Sequence, residues 1–256
     1  MHGTHTKMTM KKSFSSLACA TLGLALSLST LPAWADRLGN LDSLTEREFK
    51  YASEAIGAAI SYKPISPPQP QGLTGFDIGV SLTSSSPSYK GAAALEKANA
   101  NLYLDDAIQT YRLDIHKGLP FDVDVGAYFA NVPGLGIDVR GLEARYALLN
   151  GDFAKPGISL RGGYTYATNS DDLYINTRSV DVSISKEFAM LTPYAGVGYV
   201  WVDSDGRRAA RHQESSPELN KYYAGINMGL GLMNLAFETD ITGDTTSWGI
   251  KLGLRW

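Results

Sequence analysis

The chain has 256 residues, with 23 basic against 26 acidic side chains and a single cysteine. Without residues 1–35, which hold three lysines and no acid, the balance is 20 against 26, a net charge of −6. An acidic chain with no basic patch is not built for nucleic acid. With Cys19 as its only cysteine, it has no disulfide framework, thiolate metal site or thiol nucleophile beyond residue 35.

Lys11 and Lys12 precede an apolar, Leu- and Ala-rich run from Leu17 to Leu31, and Ala33-Trp34-Ala35 supplies a small-x-small cleavage pattern. That order is the signature of a secretory signal peptide cut after Ala35. The run is too short for a membrane anchor and no stop-transfer cluster follows it. Lipidation at Cys19 is not expected, because Ser16 stands three positions before it and the apolar core lies mostly downstream. Residues before Met8 or Met10 add nothing to such a signal. About 220 residues remain, a length that fits one domain.

Asp42 or Ser43 can cap a helix, and Glu46 adds an early acid. Leu44, Phe49, Ala52, Ile56, Ala59 and Ile60 recur at helical spacing, which predicts a short amphipathic helix over 41–62. Pro64, Pro67, Pro68 and Pro70 then make an extended linker. From Leu73 the hydrophobic period changes from 3.6 to 2. Phe76, Ile78, Val80 and Leu82 alternate with Asp77, Gly79 and Ser81 in strand one, and a polar, Ala-rich stretch over 84–107 follows. Strand two sets Tyr111, Leu113 and Ile115 against Arg112, Asp114 and His116. After the turn Lys117-Gly118-Leu119-Pro120, strand three sets Phe121, Val123, Val125, Ala127 and Phe129 against Asp122 and Asp124.

Strand four covers about 136–148, with Leu142, Ala144, Tyr146 and Leu148 opposite Glu143 and Arg145. Its phase is ambiguous before Gly141, which a bulge would explain. Strands five (157–168), six (173–186), seven (after Pro193), eight (220–230) and nine (Leu235 to Ile241) follow. They place Arg161, Asp181, Glu238 and Asp240 on the polar face. Strand ten is the C-terminal segment, where Trp248, Ile250, Leu252, Leu254 and Trp256 alternate with Gly249, Lys251, Gly253 and Arg255.

The pattern predicts an all-β transmembrane antiparallel up-and-down barrel of about ten strands, with a short N-terminal amphipathic helix. Eight or twelve strands are the alternative counts. With ten, the long connections 84–107 and 203–218 fall on one side and the shorter ones on the other, as in barrels with long extracellular loops and short periplasmic turns. The expected organisation is a signal peptide over 1–35, a periplasmic helix and Pro-rich linker over 36–71, and a barrel over 72–256. Both termini are then periplasmic, with the helix at or inside the periplasmic mouth. A soluble sandwich or lipocalin-like barrel would also alternate. The export signal, the lumen charges and the Tyr and Trp residues near strand ends favour the membrane.

Four segments carry a resemblance: Gly75-Phe76-Asp77-Ile78-Gly79-Val80, Lys117-Gly118-Leu119-Pro120-Phe121, Pro193-Tyr194-Ala195-Gly196-Val197-Gly198 and Lys251-Leu252-Gly253-Leu254-Arg255-Trp256. With them the chain resembles Gram-negative outer-membrane β-barrels and, more narrowly, a family of small uncharacterised outer-membrane barrels. The resemblance implies location and fold rather than activity. It also implies the barrel-insertion machinery as a partner, since the closing aromatic strand, Trp248 to Trp256, is similar to the signal that machinery reads. Outer-membrane lipids, including lipopolysaccharide, are the other expected partners.

The inward phase gives a candidate lumen charge network: Arg112, Asp114, Asp122, Asp124, Glu143, Arg145, Arg161, Asp181, Glu238, Asp240, Lys251 and Arg255. Lys251 and Arg255 are placed to meet Glu238 and Asp240 on the neighbouring strand. Such charges either pair as a structural filling or line a narrow polar channel, and ten strands sit nearer the filled end. The leading expectation is a non-enzymatic barrel with a structural or narrow porin-like role. The alternative is a surface adhesin acting through loops 84–107 and 203–218. A hydrolase comes third. It would rest on His116 near Asp114, but His116 sits at the periplasmic end of its strand, and His212 lies among Arg207, Arg208 and Arg211. Asp171-Asp172 and Asp203-x-Asp205 read as solvated loop charges, and neither a metal nor a cofactor is expected.

Overall fold

The structure is a computed structural model, and it describes residues 38, 40–99, 107–169, 173–206 and 213–256. The expected signal peptide, His212, Asp171-Asp172 and the arginines 207, 208 and 211 lie outside the described residues.

The alternating segments become strands β1 (Phe76–Ser86), β2 (Ile108–Gly118), β3 (Val123–Val132), β4 (Ile137–Leu149), β5 (Gly157–Asn169), β6 (Leu173–Ser185) and β7 (Leu191–Gly206). After the short β8 (Gln213–Ser215) come β9 (Glu218–Leu230), β10 (Met233–Thr242) and β11 (Thr245–Arg255). Each long strand pairs antiparallel with its neighbours in sequence, β7 with β9, and β1 with β11, so ten strands close into a barrel. β8 only extends the β7 hairpin. At the seam Asp77 stands opposite Arg255 and Ser81 opposite Lys251. Trp256 donates its amide to Phe76 O at 3.0 Å.

Two helices accompany the sheet. Helix α1 (Glu46–Ile60) starts one turn later than the sequence suggests. Thr45, not Asp42 or Ser43, is its N-cap, and Thr45 and Glu48 form a reciprocal capping box. Helix α2 (Tyr89–Ala98), capped by Ser88, lies within the polar, Ala-rich stretch 84–107 expected as a loop.

Strand polarity changes along the barrel axis. In β4, Ile137, Val139, Gly141, Glu143 and Arg145 all face inward, while Asp138, Arg140, Leu142, Ala144 and Tyr146 all face outward. The phase never slips before Gly141, and the register shift comes later, between Ala147 and Leu149. What inverts is the chemistry. Near the end that carries α2, the wall is apolar inside and polar outside. Toward the Trp256 end it is charged inside and apolar outside. The same inversion runs through β6 (Ile175 in and Asn176 out, then Asp181 in and Val182 out) and through β9 (Leu219 in and Glu218 out, then Tyr223 in and Ile226 out).

The outward apolar band includes Leu113, Phe129, Leu142 (61 % exposed), Val197, Phe237 and Leu252. Apolar residues exposed in a continuous ring of this kind require a hydrocarbon partner. Aromatic side chains flank it, with Tyr199, Trp201 and Trp248 toward one end and Phe76 and Trp256 at the other. Above the band stands a collar with a water-compatible outside and an apolar inside, and α1 fills it. Phe49, Ile56 and Ile60 pack against wall residues such as Val139, Val200 and Val202 in one buried cluster. Gly57 permits the closest approach, because a Cβ there would lie 2.5 Å from both γ-carbons of Val202.

Candidate functional site

The site is the lumen, and the chain itself occupies it. Beyond α1, residues 61–68 are all buried as an extended strap running down the barrel interior. An extended strand without a strand partner must find hydrogen bonds elsewhere. Four of residues 61–70 are proline and carry no N–H, which removes four donors at once. Wall side chains serve the remaining polar groups. Tyr128 donates its hydroxyl to Ile60 O at 2.9 Å, and Lys221 Nζ donates to Tyr62 O. Arg112 Nη2 donates to Lys63 O at 2.8 Å and Arg145 Nη1 to Pro67 O at 2.8 Å. The Ile65 amide donates to Glu238 Oε2 at 2.8 Å, and the Gln71 amide to Asp124 Oδ1 at 3.1 Å. Ile65 has φ 37°, a region that β-branched residues rarely enter and that costs roughly 1–3 kcal/mol. That kink turns its side chain onto the bare wall at Gly249, where a Cβ would meet Ile65 Cδ1 at 2.8 Å.

The strap also contributes side chains to the charge network. Lys63 Nζ is 2.7 Å from Asp240 Oδ1, with both groups buried. The Tyr62 hydroxyl lies 3.0 Å from His116 Nε2, and that nitrogen is 3.0 Å from Glu143 Oε1. Arg161 bridges Glu143 (3.8 Å) and Asp181 (3.1 Å), and Tyr223 donates to Asp181 Oδ1 at 2.5 Å. Arg112 pairs with Asp114 at 2.8 Å, and Arg145 with Asp124 at 2.5 Å. Asp77 collects Lys251 Nζ (2.5 Å), Arg255 Nη2 (3.0 Å) and Asn234 Nδ2 (2.9 Å).

Ten of the twelve charges expected in the lumen are therefore buried there: Arg112, Asp114, Asp124, Glu143, Arg145, Arg161, Asp181, Glu238, Asp240 and Lys251. Arg255 is at the Trp256 rim, its side chain 27 % exposed. Asp122 is not in the lumen. It and Phe121 adopt φ of 59° and 64° and form the exposed β2–β3 turn, so strand three begins two residues later than its alternation suggests.

Lys251 and Arg255 meet Asp77 on β1, not Glu238 and Asp240 on β10. Register explains this, since Glu238 faces Gly249 and Asp240 faces Ser247, while Asp77 sits directly across from Arg255. His116 does not pair with Asp114, which takes Arg112 and the Ser81 hydroxyl. Asp77, Lys63, Lys221, Tyr62 and Tyr223 belong to the network but were not among the candidates. For Lys221 the inward phase of β9 was a usable signal. For Lys63, which directly precedes the first linker proline and has no periodic pattern around it, there is none.

The helix and the C-terminus lie at opposite ends of the barrel. Trp256 pairs with Phe76 at one end. At the other, Asn40 donates its amide to Ala98 O at 3.0 Å, and Lys97 Nζ grips Glu48 at 2.7 and 2.8 Å. The expectation that the helix and the C-terminus share one side is thereby corrected. The Lys97 ammonium, together with the Thr45 amide and hydroxyl, lowers the Glu48 carboxyl from 4.5 to about 2. A carboxyl lowered on folding stabilises the folded state above its unfolded value and loses that contribution as pH falls through its folded value. Hydrogen-exchange protection of α1 should therefore exceed that of Glu48→Gln at neutral pH. The two should converge as pH falls from 4.5 toward about 2. A gap that persists there would show that the ionised Glu48 carboxylate is not what holds the start of α1.

Fold and site together define a transmembrane β-barrel whose lumen is filled by its own N-terminal segment. No family model matches the chain, and no curated protein matches it. Among solved structures it is similar to the N-terminal β-barrel domain of Pseudomonas aeruginosa OprF (11 % identity, TM-score 0.37, covering 73 % of this chain and 100 % of that one). It is also similar to the KdgM porin (10 %, 0.37, 70 % and 98 %) and to the Escherichia coli outer-membrane protease OmpT (10 %, 0.34, 71 % and 95 %).

Proposed function

We propose that the protein is a non-enzymatic barrel of the bacterial outer membrane, closed at rest, with a structural role there. One observation carries this reading. Residues 61–68 are wholly buried in the lumen, and charged wall side chains hold their backbone. A narrow porin-like path would have to replace those contacts. The apolar band takes up outer-membrane lipids, with lipopolysaccharide in the outer leaflet. The closing strand from Trp248 to Trp256 serves as the recognition segment for insertion machinery. We assign the polar collar and the longer connections to the outer side, because loops of outer-membrane barrels are longer there. His116 is enclosed by Tyr62, Glu143 and Asp77 rather than open at a rim, so it is poorly placed for hydrolysis.

The polar collar also favours a second reading, a surface interaction role through segments 84–107 and 203–218. Planar-bilayer recording on the full-length folded barrel tests the first. The expected trace is silent, and a steady ohmic conductance would overturn it.

A further inference from the structure

We propose that the barrel carries its N-terminal segment across the membrane inside its own lumen and presents the first turns of α1, through the exposed Glu46, Arg47 and Lys50, at the cell surface. This rests on the outward orientation of the collar given above.

The topology makes the case. β1 begins at the Trp256 end, where Phe76 and Trp256 exchange backbone hydrogen bonds. Read backward from β1, the chain passes Gln71 at Asp124, Pro67 at Arg145, Ile65 at Glu238 and Tyr62 at Lys221, and arrives in the apolar collar at Ile60. Residues 61–68 are enclosed along the way, so the route is through the lumen and not through lipid.

The helix points the same way. Ala55 to Ile60 are buried on every side, whereas Glu46, Arg47 and Lys50 are exposed, so α1 enters the collar with its C-terminal end and leaves its N-terminal turn outside. The segment is then fastened to the connection between β1 and β2. Asn40 bonds Ala98 and Lys97 bonds Glu48, while Ser43 Oγ donates to Asn40 O at 2.8 Å. Nothing in a structural plug requires this arrangement, since a plug seated from the C-terminal side would leave its outer end inside the cell envelope. Here the same residues that close the lumen have their leading end delivered to the far side, and the barrel serves as the conduit for its own chain.

Cysteine accessibility tests this in the full-length protein, with Cys19→Ser as background so that each variant carries one thiol. Arg47→Cys reports α1, Asp244→Cys the β10–β11 turn at the collar end, and Lys155→Cys the β4–β5 turn at the Trp256 end. All three positions are exposed. Intact cells are treated with a maleimide too large to pass porins, and folding of each variant is checked by heat-modifiable migration. The expected result is equal labelling of Arg47→Cys and Asp244→Cys, with Lys155→Cys labelled only after permeabilisation. Protection of Arg47→Cys beside a labelled Asp244→Cys would overturn the inference and leave the closed barrel standing. Labelling of Lys155→Cys alone would overturn the orientation as well.

Discussion

Asp77→Leu is expected to destabilise the folded barrel by about 3–5 kcal/mol, the scale for stranding a buried charge. It would be read as a lower urea midpoint of tryptophan fluorescence in lipid vesicles. Asp77 is completely buried on the first strand, opposite the last, and so pairs across the closing seam. Lys251 is 1 % exposed and its ammonium is 2.5 Å from Asp77 Oδ1. Leucine leaves that ammonium dry and unpaired. Arg255, at the rim, can turn toward water. His116 Nδ1, 3.7 Å away, keeps Glu143 on its other nitrogen. The charge, rather than the cavity or the seam, is the cause, so Asp77→Leu combined with Lys251→Met should recover most of the loss. Equal destabilisation in the single and double variants would defeat the explanation.

The seam also shows what the sequence could reveal. Alternation fixes which face a residue takes, and the inward placement of Lys251 and Arg255 follows from five outward apolar residues between Trp248 and Trp256. It does not fix which of two flanking strands supplies the partner. That depends on register, and for β1 with β11 the register joins residues nearly a whole barrel apart in sequence. The turn at Phe121-Asp122 was hidden for a different reason. Both residues continue the alternation of Val123 and Val125, and only their left-handed backbone takes them out of the strand.

The collar was hidden by an assumption about chemistry. A lumen expected to be polar makes Ile137 and Val139 look out of phase, although they face the same way as Glu143 and Arg145. They are apolar because α1, not water, is their neighbour. The amphipathic pattern of α1 was legible, but the surface it would cover was not. The strap was the least legible part of the site, because its prolines carry no period and its partners come from β2, β4, β9 and β10.

The collar's fit to α1 gives the second large effect. Gly57→Leu should expel the helix while leaving the barrel folded. A Cβ at 57 falls 2.5 Å from both Val202 γ-carbons, and leucine adds three more carbons on a wall that cannot retreat, since Val202 is held by strand pairing on β7. What opposes expulsion is the apolar burial of α1. Phe49, Ile56 and Ile60, each worth roughly 1.5–3 kcal/mol when fully buried, together contribute on the order of 5–9 kcal/mol. Losing that seat also frees the strap, whose prolines have no strand to pair with. The barrel wall is closed by its own ladder and keeps its charge pairs within β3–β4 and β5–β6, so it does not depend on the plug to stay shut as a sheet. Two readouts should change together, protease cleavage within residues 46–71 and the appearance of bilayer conductance, while heat-modifiable migration of the barrel stays as it was. Val202→Ala in the same chain returns space at the contact and should restore protection and silence. If Gly57→Leu remains protected and silent, the close contact between α1 and β7 is not what seats the helix.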